Sequence, residues 1–267
     1  MGSERRISLA NTDKNRKKLK RAQRTALCIT TTAYRTVSHA ALCVLTGNLP
    51  IYIKIKMLGE TYERNKNHGT RIGTDDGSKL KEELEAIRKK AQEDWQKEWN
   101  NYKKENITKK LIPSALLFTK KKMDIDHHTM QLLTGHGSFG VYRKRIGRDS
   151  DSNCLDCGDP NDDAEHALFA CPKWTDRRIE LENALGGKID VGNLIATVTA
   201  KDESWNKFRQ FCKTVMCHRR VTVRAWEEAR RRTSETTTTR SKIMKQRQTV
   251  EGDQPSILNW LRGRHEQ

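Results

Sequence analysis

Four residues constrain this chain more than any others: Cys154 and Cys157, separated by two residues, then His166 and Cys171. Thiolate and imidazole donors at these spacings can close a tetrahedral shell around one ion, leaving no position for water or substrate. The pattern predicts a structural Zn²⁺ that fastens the chain and does not activate a nucleophile. The plainer alternative is two reduced thiols on a loop with a histidine nearby. CxxC followed by HxxxxC is specific enough to favour the metal. A redox CxxC fits less well, because no βαβ pattern surrounds it and Gly158-Asp159-Pro160 turns the chain at once.

Between residues 149 and 165 lie Asp149, Asp151, Asp156, Asp159, Asp162, Asp163 and Glu165, with no Lys or Arg among them. Phosphate is repelled by such a loop. The finger is therefore expected to set the angle between flanking helices, while other segments meet nucleic acid.

The chain has 267 residues, 34% apolar and 32% charged, with five Phe and five Tyr. So little apolar material predicts a thin core, several helical lobes and a fold that leans on its metal. A net charge of +18 points to a polyanionic partner, nucleic acid first. Seven cysteines without a signal peptide or a long apolar run imply a reducing compartment, nuclear or cytoplasmic, with no membrane span and no secretion. The basic tracts could also serve in nuclear import.

Asn11-Thr12-Asp13 caps a helix whose apolar positions Leu19, Ala22, Ala26, Ile29 and Ala33 follow the helical period. Its other face carries Lys14, Arg16, Lys17, Lys18, Lys20, Arg21 and Arg24, which suits contact with a phosphate backbone or a merely solvated surface. Ser38 caps a short helix ended by Gly47, and Pro50 opens a third with a stripe of Ile51, Ile55, Leu58 and Tyr62. After a polar break from Asn65 to Ser78, the positions Leu80, Leu84, Ile87, Ala91, Trp95, Trp99 and Tyr102 predict one long amphipathic helix. Trp95 and Trp99 could stack bases, but a continuous apolar stripe reads as core.

Gly135 and Gly137 bracket a tight turn around His136. His127, His128 and His136 have no carboxylate or nucleophile at a recognisable spacing, and Asp124 and Asp126 read as caps rather than a Mg²⁺ site. Beyond the finger, Gly186-Gly187 ends one helix, Asp190–Thr199 is a short one, and Asp202 caps a longer one carrying Trp205, Phe208, Phe211, Val215 and Met216. Cys212 and Cys217 read as core thiols there, and His218 as a surface residue. From Arg230 a Thr-rich basic tail is expected to be disordered, with one late apolar cluster, Ile257 to Leu261.

A basic helix leading into Thr31-Thr-Ala-Tyr34-Arg35-Thr36-Val37-Ser38, then Leu45-Thr-Gly47 and Pro50, then Gln131-Leu-Leu-Thr-Gly135-His136-Gly137, then the CCHC run with Glu165-His166-Ala-Leu-Phe169-Ala-Cys171-Pro172, resembles the C-terminal part of non-LTR retrotransposon polyproteins. It is similar in particular to the arthropod type-1 elements that insert in ribosomal DNA. The resemblance covers most of positions 14 to 230. It implies that residues near 14 to 66 correspond to the end of the reverse transcriptase and its thumb, and that Cys154, Cys157, His166 and Cys171 hold Zn²⁺. It does not bring the paired aspartates of the polymerase palm or the N-terminal endonuclease.

The sequence thus predicts a mostly α chain of small helical lobes joined around one CCHC zinc knuckle. The expected segments are a thumb-like packet (1–66), a linker and long helix (67–110), a linker with the LTGHG turn (111–148), the knuckle and its helix (149–187), C-terminal helices (188–232) and a basic tail (233–267). The expected function is non-catalytic binding of RNA or DNA through Lys14, Arg16, Lys17, Lys18, Lys20, Arg21 and Arg24, beside the upstream polymerase. The alternative is a zinc-stabilised interaction module whose stripes dock on a protein, or a relic without activity.

Overall fold

The computed structural model describes residues 12–68, 76–103, 106–120 and 123–252; for Asp76, Lys120 and residues 234–252 it describes the backbone alone. The described residues are helical with no strand. The helices are α1 (Asp13–Thr30), α2 (His39–Leu45), α3 (Ile51–His68), α4 (Asp76–Asn100), α5 (Ile107–Leu111), α6 (Leu117–Lys120), α7 (His127–Thr134), α8 (Gly140–Arg145), α9 (Thr175–Leu185), α10 (Leu194–Ala200) and α11 (Asp202–Gly252). The chain divides into two compact units, 1–219 and 220–267.

Capping chemistry explains most boundaries. Thr12, Ser38, Asn106 and Asp126 each accept a hydrogen bond from the backbone N–H three residues on, closing the first turns of α1, α2, α5 and α7. Gly135 and Gly186 end α7 and α9 in the left-handed conformation.

In the first unit the buried apolar residues form a cluster running from Val37 to Met216. All of α2 from Ala41 to Leu45 is inside, and α4 inserts Ala91, Trp95 and Trp99. The two tryptophans are each 2% exposed, and Trp99 donates its indole N–H to Ile112 O at 2.8 Å. They are core, so no docking stripe is left there for a partner. Trp205, Phe208, Phe211, Cys212, Val215 and Met216 bring the first turns of α11 into the same cluster.

Two expected stripes are corrected. On α1 no residue is buried, Ala22 and Ala26 face solvent, and Ile29 is 72% exposed. Of that stripe Leu19 and Ala33 do pack against the core, joined by Gln23, Leu27 and Cys28, with Gln23 bridging Leu49 O and Ile51 N. On α3 the buried residues are Tyr52 and Ile53, whereas Leu58 and Tyr62 are exposed. The α3–α4 pair is laced instead by Lys56–Asp94, Lys90–Glu60 and Arg64–Glu83.

In the second unit, Arg230 lies over the Trp226 ring at 4.5 Å. The α11 backbone extends to Gly252, well into the segment read as a basic tail. The Ile257–Leu261 cluster lies outside the described residues.

Candidate metal centre and cationic helix

The knuckle begins as a tight turn. Cys154 N donates to Asp159 O and Gly158 N to Cys154 O, both at 2.8 Å, with Gly158 at φ 81°. This curls Cys154 and Cys157 around one point. Asp163 Oδ1 accepts from His166 N at 2.7 Å and starts a wide helical turn, His166–Ala170, closed by Cys171 N donating to His166 O at 2.7 Å. In an α-helix, residues five apart would point about 140° away from each other. The wider π-type turn reduces that divergence, which lets His166 and Cys171 share a side.

The four donor atoms lie within 4.8 Å of one another. Cys157 Sγ is 3.9 Å from Cys171 Sγ and 3.3 Å from His166 Nε2. Tetrahedral Zn²⁺ bonds of about 2.3 Å to sulfur and 2.0–2.1 Å to nitrogen would place such pairs about 3.8 and 3.6 Å apart. The donor set therefore fits a metal with little rearrangement. His166 Nδ1 faces Asp159 Oδ2 at 3.8 Å, which leaves Nε2 to the sulfurs. Without a metal, burial raises the Cys154 thiol and lifts Cys171 to about 12. Arg178 of α9 donates to Leu168 O and Cys171 O, both at 3.1 Å, and so holds the backbone of the last candidate donor.

The knuckle's deepest support lies outside its own sequence motif. Arg219 of α11 is 3% exposed and donates to both carboxylate oxygens of Asp162. Its guanidinium also lies 3.7 Å from Asp156, 4.0 Å from Cys154 Sγ and 5.0 Å from the Phe139 ring centroid. Asp162 in turn accepts from Gly140 N at 2.7 Å, and a Cβ on Gly140 would sit 2.5 Å from Ser152 O. His218 pairs with Asp156 at 2.9 Å and stands edge-on to Trp174. The acidic loop is thus partly neutralised by cations from elsewhere, Lys110–Glu165 at 2.6 Å included. A signal was present: the buried positions 208, 212, 215 and 216 place Arg219 on the inner face of its helix.

The seven cations of α1 separate into two sets. Lys14, Lys17, Lys18 and Arg21 are exposed. Arg16 pairs with Glu98 and lies over Tyr52, Lys20 covers the same ring at 4.8 Å, and Arg24 donates to Val37 O at 2.8 Å. Tyr52 also donates to Glu98, so one carboxylate joins α1, α3 and α4.

The histidines and thiols outside the knuckle are held by neighbours. His127 Nδ1 lies 2.8 Å from Thr32 O, and Cys217 Sγ is 3.4 Å from His128 Nε2. Asp126 caps α7 and pairs with Arg209, which also reaches the exposed loop residue Asp124. Cys43 is buried and pushed up to about 12 by desolvation, so it is an inert thiol. No helix among the described residues is long and apolar enough to cross a membrane.

No protein-family model and no solved structure matches the chain. It is 28% identical over 207 residues to the retrovirus-related Pol polyprotein from type-1 retrotransposable element R1 4 of Nasonia vitripennis, covering 74% of this chain and 52% of that protein. It is 28% identical over 217 residues to the R1 Pol polyprotein of Bradysia coprophila, covering 75% of this chain and 20% of that one. A 115 kDa protein in element R1DM of Drosophila melanogaster is equally identical, over 77% of this chain and 21% of the relative. The chain thus spans about half of one of these relatives and about a fifth of the others.

Proposed function

We propose that this chain, homologous over about three-quarters of its length to R1 Pol polyproteins, is a non-catalytic, zinc-fastened part of such a polyprotein that binds nucleic-acid phosphates. The observation that carries the reading is a donor set at metal-ready separations, buried except for Cys157, inside the similar region. Zn²⁺ at Cys154, Cys157, His166 and Cys171 supplies a cross-link between the knuckle turn and the His166–Ala170 turn, and so contributes directly to folding.

Phosphate binding is assigned to Lys14, Lys17, Lys18 and Arg21, whose side chains face solvent. Arg16, Lys20 and Arg24 hold that helix on the body and add field more than contact. In the longer polyproteins the same helix would adjoin the polymerase and its template and primer. A soluble nuclear or cytoplasmic setting, in which thiols stay reduced, is part of the same proposal.

Zinc analysis of purified protein, with circular dichroism before and after chelation, tests the fastening. About one Zn²⁺ per chain, with helix lost on chelation and in Cys157→Ser, is expected. Metal-free protein of unchanged helicity would remove the metal from this account. Gel shifts across a salt series test the binding: affinity should fall steeply with salt, and a flat response would refute a phosphate interface.

A further inference from the structure

The LTGHG corner has no task in the reading above, yet its geometry is specific. Gly135 and Gly137 take φ of 65° and 108°, which tucks His136 beneath Tyr142 with ring centroids 4.9 Å apart. His136 Nδ1–H donates to Thr134 O at 2.7 Å, so Nε2 is left as an acceptor, 3.4 Å from Arg145 Nη2. Burial lowers His136 to about 4, so the ring is neutral near pH 7 and does not repel the guanidinium. Arg145 also lies over Tyr142, 5.0 Å from the ring centroid, and the Tyr142 hydroxyl is 2.9 Å from Thr36 Oγ1. Two uncharged rings therefore fix the plane of Arg145, and among the described residues no carboxylate pairs with it.

This guanidinium stands at the edge of a pocket of about 450 Å³ that Ser38, Tyr102 and Asn106 also line. Among the described residues no lining residue is acidic, whereas the three other described pockets include Glu60, Asp159 and Glu180 respectively. Ser38 Oγ accepts from Ala41 N, which leaves its hydroxyl proton to donate. Asn106 Oδ1 accepts from Lys109 N, which leaves its amide N–H groups. Three kinds of donor, with no carboxylate among the described lining residues, suit an anion. The volume suits a nucleotide rather than a bare phosphate, and Tyr102, stacked on Trp99 at 5.6 Å, offers an aromatic wall. Val37 lines the same pocket and accepts from Arg24, so the pocket adjoins the cationic helix.

We infer that this pocket takes one nucleotide of a single strand, its phosphate on Arg145 and its base toward Tyr102. The inference rests on the nucleic-acid reading above and adds a preference to it: paired bases in a duplex cannot enter, so a single strand is favoured.

The test uses the zinc-loaded full chain and fluorescence anisotropy with a labelled single strand, as RNA and as DNA, and with the matching duplex. Arg145→Gln should weaken single-strand binding about tenfold, the loss of one or two charge-assisted hydrogen bonds. Duplex affinity should not change, melting temperature should fall by no more than about 2–4 °C through the lost Tyr142 contact, and Arg145→Lys should restore only part of the single-strand binding, because it lacks the planar fork. Uridine monophosphate should compete with the single strand in the wild type and fail to do so in Arg145→Gln. Equal single-strand binding by wild type and Arg145→Gln would overturn the pocket while leaving the α1 interface standing. So would equal loss for single strand and duplex. No binding of either nucleic acid by the wild type would overturn both.

Discussion

Positive charge does opposite work in the knuckle and on α1. Arg219 is buried against Asp162 and Asp156, where its guanidinium replaces solvent for two carboxylates. Lys14, Lys17, Lys18 and Arg21 stand on a helix with no buried residue at all. A net charge of +18 is therefore not one property of the chain. Part of it is structural and invisible to a partner, and part is free to meet phosphate.

The largest effect is expected at Arg219. Arg219→Met leaves Asp162 buried beside a missing cation and should cost about 3–5 kcal/mol in denaturant unfolding of the zinc-loaded protein. Adding Asp162→Leu should recover part of that loss, since the orphaned charge goes too. A cost below about 1 kcal/mol would mean that inward and outward cations are equivalent.

Next comes a group that is neutral among cations. His136 is held near 4, below its ordinary 6.5, so the unfolded chain binds the proton more readily than the folded one. Its stability contribution is complete above pH 6.5 and is lost as pH falls from about 6.5 to 4, on the order of 3 kcal/mol. His39, also near 4 through burial and the nearby Lys20 and Arg24, acts in the same direction. Urea midpoints at pH 7.5 and 5 should differ less in His136→Gln than in the wild type.

The finest division lies within α1. Arg16→Gln should cost about 1 kcal/mol of stability through Glu98 and Tyr52 and change affinity little. Substituting Lys14, Lys17, Lys18 and Arg21 with Gln should alter stability by about 0.5 kcal/mol or less per site. The salt slope of binding should fall by about 0.7–0.9 for each phosphate contact removed.

What the sequence disclosed depended on how local the cause was. The metal ligands follow from a spacing inside eighteen residues, Cys154 to Cys171, and the Trp95/Trp99 stripe from a period inside one helix. The packed face of α1 was not readable this way. Gln23, Arg16 and Lys20 look solvated in sequence, but they reach Leu49, Glu98 and Tyr52 far along the chain. Hydrophobic periodicity gives these polar residues no weight and points to Ala22, Ala26 and Ile29 instead. The acidic loop was legible as acidic, but its counter-charge comes from Arg219, on a helix that begins beyond the finger.

Three of the four metal donors are buried and Cys157 alone is exposed. In the proposed zinc site the route by which the ion leaves would therefore be more restricted than the set of residues that bind it. With Zn²⁺ bound as proposed, all four donors would contribute to affinity, whereas Cys157 alone would be reached from solvent. Chelators and thiol reagents should reach the ion through Cys157, so the release rate should rise with their concentration even where affinity is unchanged. Stopped-flow release to a chromogenic chelator would time that opening.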